Sequence, residues 1–338
     1  MKESMKVVFE LSGEHPSLPP SEILHCLRSE GIENTYLDVF GSFLLTDIKN
    51  ERGLEQISKR LSLTHFINMY LFSANPSLND LLDRTRDIDV CIEGSFRIRC
   101  ENRSNQRLKS THLERKLGEI YAVNHKVDLE NPDTEIRLLL SDEIWFVGKR
   151  LFQIDRKQYE KRKANYRPFF LPISMHPRLA RCMVNLSEVK AGEKLLDPFC
   201  GTGGMLIEAG LIGAKVAGSD IKGWIVNGCK QNLEHYGIRE YELENIDVGE
   251  IGIFGKVDAV VTDFPYGRAS TTNREPVEKL YRRAFSSISD VLRSGKRLVC
   301  AVPSVDLVKI GCEYMNLVEI HPFRVHGNLI RYICIFTK

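Results

Sequence analysis

Hydrophobic positions along this chain fall into two spacings: short continuous or alternating runs that suit strands, and three-to-four-residue repeats that suit helices. Lys6 to Leu11 reads as a first strand, and Pro20-Ser21-Glu22 opens a helix carrying Ile23, Leu24 and Leu27. Strands near Thr35 to Phe40 and Phe43 to Leu45 follow, then a helix from Leu54 to Leu61 and a strand from Thr64 to Leu71. Asn79 to Leu82 belongs with the closing elements of this group.

The resulting β-α-β-β-α-β order predicts a ferredoxin-like α+β module over residues 1–75. From Cys91 the pattern changes. Ser95 to Cys100 alternates like a half-exposed strand, and Arg103 to Lys109 is a basic loop leading into a helix around Leu113 to Val123. The polar, charged stretch Glu160 to Pro168 predicts a boundary. Beyond it a helix from Arg178 to Leu186 precedes alternating α/β structure: strand Lys194 to Leu196, helix Met205 to Leu211, strand Val216 to Ser219 and helix Trp224 to His235. A third strand precedes Asn245-Ile246-Asp247, a fourth ends at Asp263, and a helix over Val277 to Val291 leads to strand Lys296 to Val302. Leu317 to Ile320 and Leu329 to Phe336, joined by a loop without a crossover helix, predict an antiparallel pair closing an otherwise parallel sheet.

Two loops at the predicted strand ends carry chemistry. Leu195-Leu196-Asp197-Pro198-Phe199-Cys200-Gly201-Thr202-Gly203-Gly204 reads as strand, acid, tight turn and helix start. Its glycines let backbone approach a ligand, and it has neither the dinucleotide spacing GxGxxG nor the Lys-Ser/Thr of a phosphate-gripping loop. Asp220 ends the next strand, where a carboxylate accepts from ribose hydroxyls. Asp247 is placed to accept from an adenine amino group, with Ile246 or Ile221 packed on the ring. The implied ligand is an adenosine with a zwitterionic tail and no diphosphate, an outline that S-adenosylmethionine fits. In the fourth strand Pro265 ends the ladder and keeps Phe264 extended, so Asp263 stands at the carboxyl edge with a backbone carbonyl and the Tyr266 ring beside it. That group suits a flat partner bearing an amino group. A simpler alternative makes Asp197 a turn cap, and Asp220 and Asp263 ordinary strand-end residues. Acids at four successive strand ends, 197, 220, 247 and 263, weigh against it.

Composition adds partners and setting. At 338 residues and 43% apolar the chain has room for two or three domains with full cores. Its net charge of +2 neither demands nor excludes nucleic acid, but the charge is unevenly spread. Arg97 to Lys116 holds seven Arg or Lys against two acids, and Lys149 to Arg167 holds eight against two, interleaved with Phe152, Tyr159 and Tyr166. Arg97, Arg99, Arg103, Arg107, Lys109, Lys149 and Arg150 are therefore candidates for phosphate contact, the alternative being solvated faces or a linker. Nine cysteines form no CxxC pair or Cys/His cluster, so no metal site is expected. Cys200 reads as a small side chain packed beside a ligand, and Cys91 and Cys100 are spaced to face each other across a hairpin. With no apolar leader or span, the chain reads as cytoplasmic, and no obligate protein partner is evident, so a monomer is expected.

The loop Asp197 to Gly204 together with Asp263-Phe264-Pro265-Tyr266 resembles the signature of class I amino-methyltransferases. The whole chain is similar to archaeal tRNA guanine-N2 methyltransferases with a THUMP domain, through Val127 to Asp133, Trp145 to Gly148, and Arg167-Pro168-Phe169-Phe170 on to His176-Pro177. This resemblance implies a ferredoxin-like module (1–75), a THUMP RNA-binding domain (76–155), a linker (156–175) and a Rossmann-like methyltransferase domain (176–338). It implies a tRNA substrate, S-adenosylmethionine as cofactor, and methylation of guanosine N2, at position 10, once and then a second time. Asp197, Phe199, Gly201, Thr202, Gly203, Asp220, Ile221, Ile246 and Asp247 would hold the cofactor, and Asp263, Phe264, Pro265 and Tyr266 the target base. The segment from about 165 onward is expected to bind the cofactor alone. One position departs from the family motif Asp-Pro-Pro-Tyr: Phe264 stands where the first proline is usual. A bulky side chain there is expected to alter the base pocket and to favour stopping at monomethylguanosine. The same geometry serves an adenine-N6 or cytosine-N4 amine, or another guanosine in tRNA or rRNA, and a noncatalytic RNA-binding scaffold is the alternative of a different class.

Overall fold

The computed structural model describes residues 4–49, 53–172, 174–266, 275–326 and 329–338. Two compact units emerge. The first combines Met1–Pro20, Gly31–Lys59 and Leu63–Asp155; the second combines Ser21–Glu30, Arg60–Ser62 and Arg156–Lys338.

The chain opens with β1 (Met5–Leu11), α1 (Leu18–Ser29), β2 (Asn34–Phe40), β3 (Phe43–Ile48), α2 (Leu54–Arg60) and β4 (Thr64–Ala74). It continues with α3 (Leu78–Asp87), β5 (Phe96–Asn102), α4 (Ser110–Tyr121), β6 (Thr134–Leu140) and β7 (Trp145–Gln153). The strands form one seven-stranded sheet ordered β2-β3-β1-β4-β7-β6-β5. β4 and β7 are antiparallel neighbours, with Asn68 opposite Arg150, so the expected boundary at 75/76 falls inside a continuous sheet. β6 is absent from the hydropathy reading because all seven of its residues are buried, including Glu135 and Arg137, which blur its apolar pattern. Cys91 and Cys100 are both free thiols, and β5 pairs in parallel with β6 rather than in a hairpin with the Cys91 segment.

The second unit runs through α5 (Lys157–Glu160), a 3-10 turn at Ala164–Tyr166, α6 (Pro177–Leu186), β8 (Lys194–Asp197), α7 (Gly204–Gly210), β9 (Lys215–Ser219), α8 (Gly223–His235) and β10 (Tyr241–Glu244). A 3-10 segment Val248–Phe254 leads to β11 (Val257–Asp263), α9 (Val277–Val291), β12 (Leu292–Val302), α10 (Val305–Cys312), β13 (Asn316–His326) and β14 (Leu329–Thr337). The sheet order is β10-β9-β8-β11-β12-β14-β13, parallel from β10 to β12. β14 pairs antiparallel with both β12 and β13, as the hydropathy pattern implies. From β8 the chain steps outward through β9 and β10, then returns to β11 on the other side of β8 and moves away through β12. The carboxyl ends of β8 and β11 therefore flank the reversal of strand order, the place where open α/β sheets take ligands.

Pieces from the N-terminal third complete this unit. His25 of α1 is buried, with Nδ1 2.8 Å from Glu188 and Nε2 2.9 Å from Glu319. Ser21 donates to Glu319 at 2.5 Å, and Asn185 donates to Glu22 at 2.8 Å. Arg60 donates to Asn185 at 3.2 Å and to the Val189 carbonyl at 3.0 Å. A segment starting near 165 lacks Ser21, Glu22, His25 and Arg60, so the expectation that it suffices alone has to be revised: cutting it out exposes polar atoms that are now buried and paired.

Candidate active site

β8 delivers Asp197 into the floor of the site, 2% exposed. The Thr262 hydroxyl of β11 donates to its Oδ1 at 2.6 Å and the Phe199 amide at 3.1 Å. The loop then turns through Gly203, whose φ of +81° places it in the left-handed region. A Cβ at Gly203 would stand 2.7 Å from the Cys229 sulfur, so both conformation and space call for glycine. α7 starts immediately after it. Cys200 is buried within hydrogen-bonding reach of Cys229, and its thiol is pushed well above the usual range by that contact and by burial, which suits packing rather than nucleophilic chemistry.

Asp220 follows β9, half-buried, and accepts from the Lys222 amide at 3.0 Å and from the Gly201 amide. Burial raises its pKa while those two donors pull it down. A carboxylate accepts about four hydrogen bonds, so two remain for a diol. Ile221 is 44% exposed beside it, and Ile246 and Phe199 lie half-buried against the core. Asp247 behaves differently from expectation. It caps the 3-10 segment, accepting from the Gly249 amide at 2.8 Å while its own amide donates to Glu250 at 3.1 Å, and the Arg283 guanidinium binds the same Oδ1. Although burial works the other way, Arg283 and the cap donors hold its carboxyl below the usual range. Asp247 Oδ1 is thus engaged by the cap and by Arg283, so the adenine-edge role expected of this residue would rest on its other oxygen, Oδ2.

β11 ends at Asp263, one side-chain quarter exposed, and the Phe264 amide still donates to the Ala301 carbonyl at 3.1 Å before Pro265 stops the ladder. The Tyr266 hydroxyl donates to Asp263 Oδ1. Arg331 of β14 brings Nη2 to 3.7 Å from Oδ2, and its guanidinium lies 5.3 Å over the Tyr266 ring. Burial raises the Asp263 pKa, opposed by Arg331 and by the Tyr266 hydroxyl. Tyr281 donates to the Pro265 carbonyl at 3.3 Å, which fixes the turn from the α9 side.

Burial pushes the Asp197 carboxyl up to about 7, against the pull of Thr262 and the Phe199 amide, with the Asp263 and Asp220 carboxylates adding to the rise. The folded state therefore keeps a proton that the unfolded chain, at the ordinary 3.8, releases. Protons bound then favour the native form, and the site's contribution to stability falls as pH rises from about 4 through about 7. Asp197→Asn, which carries no charge at any pH, should melt above the wild type at pH 8. The gap in Tm should close as pH is lowered toward 4. A gap independent of pH in ligand-free protein would contradict the assignment.

Behind the glycine loop sits a charged cluster that composition does not reveal. Glu208 of α7 is fully buried, bound by Arg162 at 2.9 and 3.0 Å and by Arg181 of α6 at 2.8 Å. Arg167 reaches the Thr202 hydroxyl at 3.4 Å. Asn232 of α8 accepts from the Phe169 amide at 3.0 Å and donates to the Phe169 carbonyl at 2.7 Å and the Thr202 carbonyl at 2.9 Å. A side chain at Gly228 would collide with the Phe169 ring. The stretch expected to be a linker is therefore a strap that holds the glycine loop, and Arg162 and Arg167, 8% and 4% exposed, are structural rather than part of a basic surface.

The chain is 38% identical over 339 residues to a tRNA (guanine(10)-N2)-dimethyltransferase of Methanothermobacter thermautotrophicus, covering 99% of this chain and 100% of that protein. The chain belongs to that family. A second member, from Pyrococcus abyssi, is 38% identical over 338 residues, covering 96% and 98%. The family model UPF0020, RMKL-like methyltransferase domain, matches residues 164–333. Among solved structures, TrmN from Thermus thermophilus superposes with a TM-score of 0.58 at 19% identity, over 98% of this chain and 100% of that one, which shows a shared α/β methyltransferase-like fold. A putative methyltransferase, SMU.472, complexed with SAH, gives 0.56 at 14% identity over 100% and 99%.

The family frame makes Phe264 the position to explain. Its ring is 1% exposed and packs on Tyr281 (4.6 Å), Phe285 (5.1 Å) and Phe199 (5.3 Å), facing the core between β11 and α9. The expectation that it crowds the target amine is thus corrected: side chains alternate along an extended segment, and here Asp263 faces the site while Phe264 faces inward. Its contribution to the site is its carbonyl.

The basic residues sort into two groups. Arg97 and Arg150 both bind Glu135, a carboxylate 4% exposed, at 2.5–2.8 and 2.9 Å, and Lys149 lies 3.4 Å from Glu93. Arg103 pairs with Glu101 at 2.7 Å, and Arg99 is half-buried with Nη2 3.5 Å from the Leu129 carbonyl. Arg107 and Lys109 are exposed. Arg97 and Arg150 are committed first to neutralising a buried acid, a pairing that linear charge density conceals.

Proposed function

We propose that this protein transfers a methyl group from S-adenosylmethionine to the exocyclic N2 amine of guanosine in tRNA, at position 10, forming N2-methylguanosine and then N2,N2-dimethylguanosine. The observation that carries the reading is the Asp263-Phe264-Pro265-Tyr266 turn at the end of β11, set beside the acidic glycine loop that ends β8. The first unit is read as ferredoxin-like and THUMP modules that bind tRNA, and the second as a Rossmann-like catalytic domain.

The site's donor set fits the cofactor. Asp197, its pKa raised to about 7 by burial and by two neighbouring carboxylates, is drawn into its ionised form by a ligand that brings positive charge. Asp220 suits a ribose diol, the turn Gly201 to Gly203 with Thr202 and Phe199 suits the methionine side, and Ile221 and Ile246 suit the faces of a purine. When bound, the cofactor supplies a methyl group on an already activated sulfonium. The chain's own work is alignment and charge. Asp263 and the Phe264 carbonyl accept from the amino protons as positive charge grows on a nitrogen whose lone pair is shared with the ring, and Tyr266 stacks on the base. Asp263 is also placed to receive the proton that leaves. With Phe264 turned inward, nothing in its side chain obstructs a second methyl. Position 10 is paired in tRNA, so extrusion costs a few kcal/mol that backbone contacts must offset.

The deciding experiment treats unmodified tRNA with enzyme and cofactor and locates methyl groups by mass spectrometry of nuclease fragments. Methyl on guanine N2 at position 10 is expected; methyl on adenine or on guanine N1 rejects the chemistry, and guanine N2 elsewhere rejects only the position. For the RNA surface, Arg107→Glu with Lys109→Glu should weaken tRNA binding and flatten its dependence on salt by about two phosphate contacts, with cofactor binding intact. Nitrocellulose-filter titrations across salt concentrations would show it.

A further inference from the structure

A lone arginine in the apolar strand Leu329-Ile330-Arg331-Tyr332-Ile333-Cys334-Ile335-Phe336 needs a reason. Its side chain is 12% exposed, and Nε is buried without a hydrogen-bond partner among the described residues. The nearest carboxylate oxygen, Asp263 Oδ2, is 3.7 Å from Nη2, inside the range of strong charge attraction and outside hydrogen-bond distance. Placing a cation where a cationic cofactor binds and where positive charge develops works against both. The arrangement makes sense if the charge serves Asp263.

We infer that Arg331 is a positioning residue: its charge keeps Asp263 as a carboxylate while leaving Oδ2 free to accept from the substrate amine. Tyr266 takes Oδ1 and fixes the carboxylate's orientation, so the two oxygens have separate tasks. The 3.7 Å separation matters because a guanidinium closed onto Oδ2 would consume the lone pairs that the amine needs. The ring of Tyr266 under the guanidinium helps hold it at that distance. Among the described residues, the other titratable groups acting on or facing Asp263 are Asp197 from β8, whose ionised form favours the neutral acid of Asp263, Tyr266, Tyr281 of α9 and Cys300 of β12. Arg331 is the cation in that set. This inference rests on the proposed methylation reaction.

The test is the pH profile of single-turnover methylation by the full chain, with cofactor and tRNA saturating so that Asp197 titration in the free protein does not enter. Loss of a cation at this range should move the acid limb of Arg331→Met upward by about one to three pH units. The variant would then be severely slowed at pH 6.5 and recover toward wild type at pH 9. Arg331→Lys, which keeps the charge, should retain a limb near that of the wild type. If Arg331→Met does not fold, Arg331→Gln, planar and neutral, should show the same displacement. A uniform loss at every pH in a neutral variant that still binds cofactor would overturn the inference and leave Arg331 a packing residue. Absence of guanine-N2 methylation by the wild type would instead reject the proposed function.

Discussion

Asp263→Ala should cut single-turnover methylation of tRNA by about two to three orders of magnitude, the scale seen when one preorganised polar group is removed from a reacting centre. Cofactor affinity should change little, because the groups assigned to the cofactor hang from β8, β9 and β10 rather than β11. The measurement is a rapid-quench time course beside a calorimetric titration. Equal losses in both would make Asp263 a structural residue. The size of the effect follows from its surroundings: Oδ1 is held by Tyr266, the following Pro265 offers no backbone donor, and no second side-chain carboxylate is on β11's exit turn to take its place.

Glu208→Ala should destabilise the protein by about 3–5 kcal/mol, the cost of leaving buried charges without their counterion. Arg162 and Arg181, 8% and 2% exposed, would then be left buried without their shared carboxylate. Replacing all three by apolar residues of similar volume, Arg162→Met, Arg181→Met and Glu208→Leu, should recover much of the loss, because no charge is left uncompensated. Denaturant unfolding of the full chain gives both numbers. A single substitution costing under about 1 kcal/mol would mean that water enters and solvates the two guanidinium groups. Both predictions concern groups beyond the glycine loop itself, yet the second also loosens the loop, since α7 begins at its last glycine.

The hydropathy pattern made the catalytic half legible because β8, β9 and β11 are short β-branched or aliphatic runs cut off by an acid, glycine or proline. β8, β9 and β11 end where Asp197, Asp220 and Asp263 stand, or one residue before, and the antiparallel pair at the end follows from the missing crossover helix. What was not legible is pairing. β6 carries Glu135 and Arg137 in a fully buried strand, and α10 is an eight-residue helix of mixed polarity. Glu208 and Arg331 could have been flagged, since each is a lone charge in an otherwise apolar run, a pattern that in a buried element demands a partner. Which partner is a tertiary fact. Asp247 illustrates the converse: an acid in the right place along the chain is recruited locally as a cap, and Asp-Val-Gly-Glu spells that capping box directly.

His25 and Glu319 lie 294 residues apart in the chain and 2.9 Å apart in the fold. Ribosomes add about 5–20 residues per second, so the N-terminal segment waits on the order of 15–60 s for its last partner to be made. The catalytic unit therefore cannot finish folding as it emerges; completion comes only after β13 leaves the exit tunnel. The same threading limits evolutionary shuffling. A recombination event between residues 63 and 155 would part Ser21–Glu30 and Arg60–Ser62 from the polar atoms they now cover, so the two units are inherited together although each has its own sheet.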